Sequence, residues 1–303
     1  MLRTNKKILI GTIIFCLILF LSSTCVAGMS VQEVISNMQK TYEKQMKGIN
    51  DYTIVQKGTG GVAALAGETT IYYKKAEIKG EVIYKTRTQS EAMGMAMVSI
   101  YDGNYIWTKN PMTGEIEKKT AEYNPGQMWK NIDLTKSKYL GEEEIDGEKT
   151  YILQIDNALQ VMGNQQAMSS QGGQSEGSVE SSGKLWISSK TWMPVRMLMV
   201  MKAKPGEGAE GMAMNTEVTT DLKDYRQVGT MFHPYQLVMN MATEIDTSGL
   251  SSGLSEEEKK AQEQTMQMTQ SMMSGMGSFS IETVDIKVNT GLSDDLFDGT
   301  KLE

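Results

Sequence analysis

Cysteine is nearly absent from this chain. Of its 303 residues only Cys16 and Cys25 carry a thiol, and both lie within the first 27 positions. The rest of the chain can form neither a disulfide nor a thiolate metal site, so an apolar core must stabilise it, and it is long enough to bury one. Histidine is rarer still, since His233 stands alone. That argues against histidine-rich metal sites and makes any Ser-His-Asp machine depend on one residue. His233 sits before a proline in MFHPY, where it reads as a turn histidine. No Walker loop, H-E-x-x-H or C-x-x-C is present, so the common nucleotide-binding, zinc-protease and redox motifs are missing. Acidic groupings such as Glu142 to Glu144 or Asp294-Asp295 read as solvated turns. The expectation is a protein that is not an enzyme, with no catalytic residues, no cofactor and no metal.

An excess of positive charge is missing as well. The formal net charge is −7, which argues against nucleic acid and against anionic lipid headgroups as partners. The positive charge that exists is partly concentrated at the start, MLRTNKKILIGTIIFCLILFLSSTCVAG. Three cations, an apolar run from Ile8 to about Leu21 and then small residues make the layout of a secretory signal peptide. The run is short for a spanning helix. Cleavage after Ala27 leaves residues 28–303 and moves the net charge from −7 to −10, because Arg3, Lys6 and Lys7 are lost. The expected location is therefore extracytoplasmic, with lipid anchoring at Cys25 the less favoured alternative.

Ser30 and Glu33 form a capping box. Val31, Val34, Ile35, Met38, Tyr42, Met46 and Ile49 follow at helical spacing, and Gly48 is a plausible stop. Short β-rich runs come next, near 51–57, 68–75, 80–88, 95–101, 104–109, 149–155, 184–188, 195–202, 212–222, 235–244 and 281–288. Asp102-Gly103 and Asp146-Gly147 signal tight hairpins between such runs. About eleven strands without intervening helices predict an antiparallel sheet. A short helix fits 127–132, after Pro125. Residues 157–183 are rich in Gln, Ser and Gly and read as a flexible insertion. Residues 246–280 read as a Met- and Gln-rich insertion with a helix opened by Ser255 and Glu258.

Methionine is what the chain has in plenty, with 25 residues. In MPVRMLMVMK, Met197, Met199 and Met201 occupy every second position, so on a strand they share one face. Met93, Met95 and Met97 alternate in the same way, as do Met212 and Met214, and Met239 and Met241. Three readings compete. Thioethers are soft ligands for Cu(I). They also fill ordinary cores. Finally, a flexible, polarizable lining adapts to ligands of varied shape.

Several stretches, in order, resemble the LolA/LolB-like outer-membrane lipoprotein-sorting family of periplasmic lipid carriers. They are VQEVISNMQKTYEKQMKGINDYT, YDGNYIWTKNP, KLWISSKTWMPVRMLM, GTMFHPYQLVMN and DIKVNTGLSDDLFDG. The resemblance implies a curved, incomplete antiparallel barrel whose open apolar side is covered by helices. It also implies an acyl lipid or lipoprotein as cargo, with a membrane-bound loading or receiving protein as a further partner. On this reading the cargo's acyl chains lie against Met95, Met97, Trp107, Met197, Met199, Met214, Leu237, Met239 and Met241, and the protein is a monomer. The alternatives are an envelope sensor that binds a protein on the same fold, and Met-based copper binding.

Overall fold

The computed structural model describes residues 29–60, 67–92, 94–121, 127–156, 158–159, 178–204, 213–246 and 277–302. The chain divides into Met1–Ser30 and Val31–Glu303, and the second unit is described below. The signal segment 1–27 and the helix expected from Ser255 lie outside the described residues.

Val31–Gln45 forms helix α1, with Val34, Ile35 and Met38 buried. That is the apolar stripe its spacing predicts. Gly48 sits just beyond with φ +81°, a left-handed conformation that glycine adopts without a Cβ penalty.

Thirteen strands follow, two more than expected. They are β1 Asp51–Thr59, β2 Glu68–Ile78, β3 Glu81–Ala92, β4 Met95–Tyr101, β5 Tyr105–Lys109, β6 Ile116–Thr120, β7 Lys138–Ile145, β8 Glu148–Asp156, β9 Ser178–Ser188, β10 Pro194–Lys204, β11 Ala213–Val228, β12 Met231–Asp246 and β13 Ser278–Val288. They form one sheet, ordered β6-β5-β4-β3-β2-β1-β13-β12-β11-β10-β9-β8-β7. The sheet is antiparallel, curved and unclosed, an open half-barrel, and α1 is the one long α-helix among the described residues. Its two edges, β6 and β7, are consecutive in sequence. The chain between them includes the 3-10 helix Met128–Asn131, and Trp129 there packs on Tyr42 of α1, with ring centroids 4.2 Å apart.

The expected insertions are shorter than their composition suggested. Ser178 to Gly183 belong to β9, where they pair with Met199 to Lys204. Asp246 ends β12, and Ser278 to Ser280 begin β13.

The two ends of the sheet differ. Tight turns close one end at 79–80, 102–104, 146–147, 189–193 and 229–230. Lys79-Gly80 and Asp146-Gly147 have positive φ at both residues, the geometry of a two-residue turn matched to strand twist. At the turn end, Met46 and Ile49 beyond α1 pack with Tyr52, Ile54, Tyr84, Met231 and Ile286, joined by Tyr42 and Tyr73. At the opposite end β8, β10 and β12 finish and β9, β11 and β13 begin.

Candidate functional site

Residues paired across adjacent strands lie on the same face of a sheet, and so do residues two apart on one strand. These two rules place the methionines. Met197 pairs with Leu185 on β9 and with Thr220 on β11. Thr220 pairs with Met239, and Met239 with Phe279. One cross-strand row therefore reads Leu185, Met197, Thr220, Met239, Phe279. The neighbouring row reads Gly183, Met199, Val218, Met241. Leu222, Leu237 and Ile281 make a third, and Met214 shares the strand parity of Thr220. On the other half of the sheet, Ile281 pairs with Gly58 of β1, a bulge opposite Val55 and Gln56 offsets β13 by one residue, and a row of the same face runs Ile286, Ile54, Ile71, Thr88, Ser99. It carries the same face across to β4, where Met95 and Met97 have the parity of Ser99. Eight of the nine expected lining residues thus share one face.

Trp107 is the ninth, and the structure corrects it. It pairs with Ile100, which has the opposite parity to Met97, so Trp107 lies on the other face. Its indole N–H donates to the Asp102 carboxylate at 2.7 Å. A Cβ built on Gly299 would stand 2.1 Å from the ring, so the C-terminal tail rests on the indole through a glycine. The same tail is held by the Arg87 guanidinium, which donates to the Leu296 carbonyl, and by the Lys74–Asp294 ion pair. Phe297, within the tail, is buried. Trp107 is an anchor for the tail.

The eight are not equally accessible. Met199 is 3% exposed, as buried as its neighbour Met201 at 4%, which was not among the expected lining residues, whereas Met95, Met97 and Met214 are 39%, 41% and 38% exposed. Met197, Leu237, Met239 and Met241 are half-buried. Met199 is therefore wall, and the half-buried residues with the three exposed methionines form the accessible surface.

Polar groups on this face are satisfied locally. Thr216 and Thr220 are buried, and the Thr216 and Thr243 hydroxyls lie 3.2 Å apart. Buried Thr283 donates to the Pro234 carbonyl at 3.4 Å. No buried side-chain nitrogen or oxygen among the described residues lacks a partner, so the buried polar groups of this face need nothing from a ligand. The reverse face carries charge, including the Arg196–Asp221 pair at 2.5 Å.

Two features were not anticipated. A tyrosine cluster closes the turn end of the methionine face. Tyr52 stacks on Tyr73 at 4.3 Å, and Tyr42 meets Tyr84 edge-on at 6.4 Å. Burial pushes the Tyr73 and Tyr84 phenols up to about 12 and raises Tyr52 as well, so all three stay neutral. The sequence signal was the cross-strand match of Tyr52 with Tyr73, legible only once the register is known. The second feature is His233, which lies within β12 rather than in a turn. It has the parity of Leu237, and burial lowers its pKa from 6.5 to about 4. It is neutral at pH 7.

A cleft of about 420 Å³ lies elsewhere, lined by Ile78, Lys85, Asp102, Asp294 and Phe297. It belongs to the tail anchorage, where Asp294 pairs with Lys74 and Asp295 with Lys301. Among the described residues, no group of three or more His, Cys, Asp or Glu side chains is placed to hold a metal ion. Among them, no helix is long and apolar enough to cross a membrane.

No protein-family model matches the chain, and no curated protein matches it. Solved structures do. One is an outer-membrane lipoprotein-sorting protein domain from Vibrio parahaemolyticus, 12% identical, covering 88% of this chain and 97% of that one, with a TM-score of 0.48. A DUF1329 family protein from Desulfovibrio piger is also 12% identical, covering 89% and 97%, with a TM-score of 0.48. The lipoprotein LppX of Mycobacterium tuberculosis is 10% identical, covering 88% and 100%, with a TM-score of 0.29.

Proposed function

We propose that this chain is an exported, non-enzymatic carrier that holds the acyl chains of a lipid or lipoprotein against its methionine face and moves them through water. The observation that carries this reading is the one sheet face shared by Met95, Met97, Met197, Met199, Met214, Leu237, Met239 and Met241. Each acyl CH₂ buried there contributes about 0.8 kcal/mol, so part of one chain is enough for useful affinity. Unbranched thioether side chains repack around chains of different shape. The unclosed sheet leaves the face reachable from the side, and α1 with the tyrosine cluster blocks the turn end. The leader sequence supports export, and the sequence resemblance to lipoprotein-sorting carriers points to the same cargo class. Cleavage after Ala27, a membrane-bound loading or receiving partner and a monomeric state belong to this proposal.

Native mass spectrometry with lipid extraction tests it, on residues 28–303 purified without detergent. The reading predicts a co-purifying acyl lipid at about one per chain. An empty protein that also fails to bind a fluorescent fatty acid would overturn it.

A further inference from the structure

Exposure sets the described methionines apart as accessible, half-buried or buried. Met95, Met97 and Met214 are 39%, 41% and 38% exposed, while Met38, Met46, Met199, Met201 and Met231 are between 3% and 6% exposed. Met95, Met97 and Met214 all sit on the methionine face, at the end of the sheet opposite the turns 79–80, 102–104, 146–147, 189–193 and 229–230. Met95 begins β4, and Met214 is the second residue of β11. Register places Met97 opposite Ser90 and Met214 opposite Ile245. The described residues contain no cysteine, so no thiol among them competes with these thioethers for an oxidant. Exposure governs how readily a thioether is oxidised, and the product is polar where the thioether was apolar.

We propose that Met95, Met97 and Met214 are modification sites for peroxide, and that their oxidation to sulfoxide releases the bound acyl chain. In each event the sulfur lone pair attacks one peroxide oxygen. An S–O bond forms, the O–O bond breaks, and the other oxygen leaves as water after proton transfer. Methionine is oxidised and hydrogen peroxide is reduced. The new S=O dipole stands on a surface built to hold hydrocarbon, and a buried chain cannot hydrogen-bond to it. Wall residues such as Met199 and Met201 stay reduced, so the fold persists while the accessible surface changes polarity. The order of oxidation follows from exposure alone. The loss of binding rests on the acyl-carrier reading.

Met112 supplies an internal control. It lies in the turn between β5 and β6 and is 84% exposed. It reacts with peroxide too, but it is not on the methionine face.

The experiment uses residues 28–303 with hydrogen peroxide as the oxidant and a fluorescent fatty acid as the probe. Peptide mapping by mass spectrometry follows each methionine over time. Met95, Met97, Met112 and Met214 are expected to gain oxygen before Met199 and Met201. Within each protein, probe affinity is compared before and after limited oxidation. Wild type is expected to lose about tenfold, equivalent to about 1.4 kcal/mol. Met112→Leu should lose the same factor. The triple variant Met95→Leu, Met97→Leu, Met214→Leu should show a before-to-after ratio near one. Simultaneous oxidation of wall and exposed methionines in wild type would overturn the site assignment, whatever the variants do. Tight probe binding that survives oxidation of all three would overturn this inference and leave the carrier reading standing. Absence of probe binding before any oxidation would overturn both.

Discussion

Met199 and Met95 stand on the same face of one continuous sheet, yet Met199 is 3% exposed and Met95 39%. The face is therefore core in one place and open surface in another. Met199→Ala should cost about 2–5 kcal/mol of folding stability, because it removes a fully buried side chain and leaves a cavity. Met95→Ala should cost under about 1 kcal/mol, as surface changes generally do. Urea denaturation of the two variants measures the difference directly. For the same reason a carboxylate at Met199 would unfold the sheet rather than report on binding.

Gly299 lies against the ring of Trp107, with room for no Cβ. Gly299→Ala must displace either the tail or the indole and should cost about 1–3 kcal/mol, the usual range for overpacking. The damage is confined to the charged side of the sheet. Acyl-chain affinity measured with a fluorescent fatty acid should therefore stay within about twofold of wild type. A large loss of affinity would mean that Trp107 belongs with the lining after all.

His233 ties stability to pH. Its folded pKa is lowered from 6.5 to about 4 by burial, so the unfolded chain takes up a proton that the folded chain refuses. Stability is complete above about pH 6.5, falls as the pH drops toward 4 and levels off below that. The span corresponds to about 3 kcal/mol for this one group. Urea midpoints at pH 7.0 and pH 4.5 should separate more for wild type than for His233→Gln. Equal separations in the two proteins would show that His233 titrates normally.

Much of this was readable in advance, and the misses have physical causes. The eleven anticipated strands all exist because their apolar and polar residues alternate over a buried face and a solvated one. The strands missed are β6, IEKKT, and β7, KYLGEEEI. Both are edges, and charge on an edge strand guards against pairing with another chain while erasing the alternation that marks a strand. Ser178 to Gly183 read as loop by composition, but Gly183 is small for a reason. A Cβ there would lie 2.5 Å from the Leu198 carbonyl oxygen and 3.0 Å from Ala158. The methionine face was legible because parity on a strand needs no tertiary information. Trp107 was misplaced because its aromatic character outweighed its parity. Ile106 and Thr108 are the β5 residues that share the face. The tyrosine cluster depends on register across β1, β2 and β3, which single-strand patterns do not contain.

The central claim is that acyl chains lie on the half-buried methionines of β12, and one titration tests it most directly. Met239→Glu and Met241→Glu each place a carboxylate where an acyl chain is proposed to run, at positions open enough to keep the sheet folded. With circular dichroism confirming the fold, a fluorescent fatty acid is titrated into wild type and into each variant. The account predicts saturable binding by wild type and a loss of about tenfold or more in both variants, the equivalent of about 1.4 kcal/mol. Folded variants that bind as tightly as wild type would contradict it.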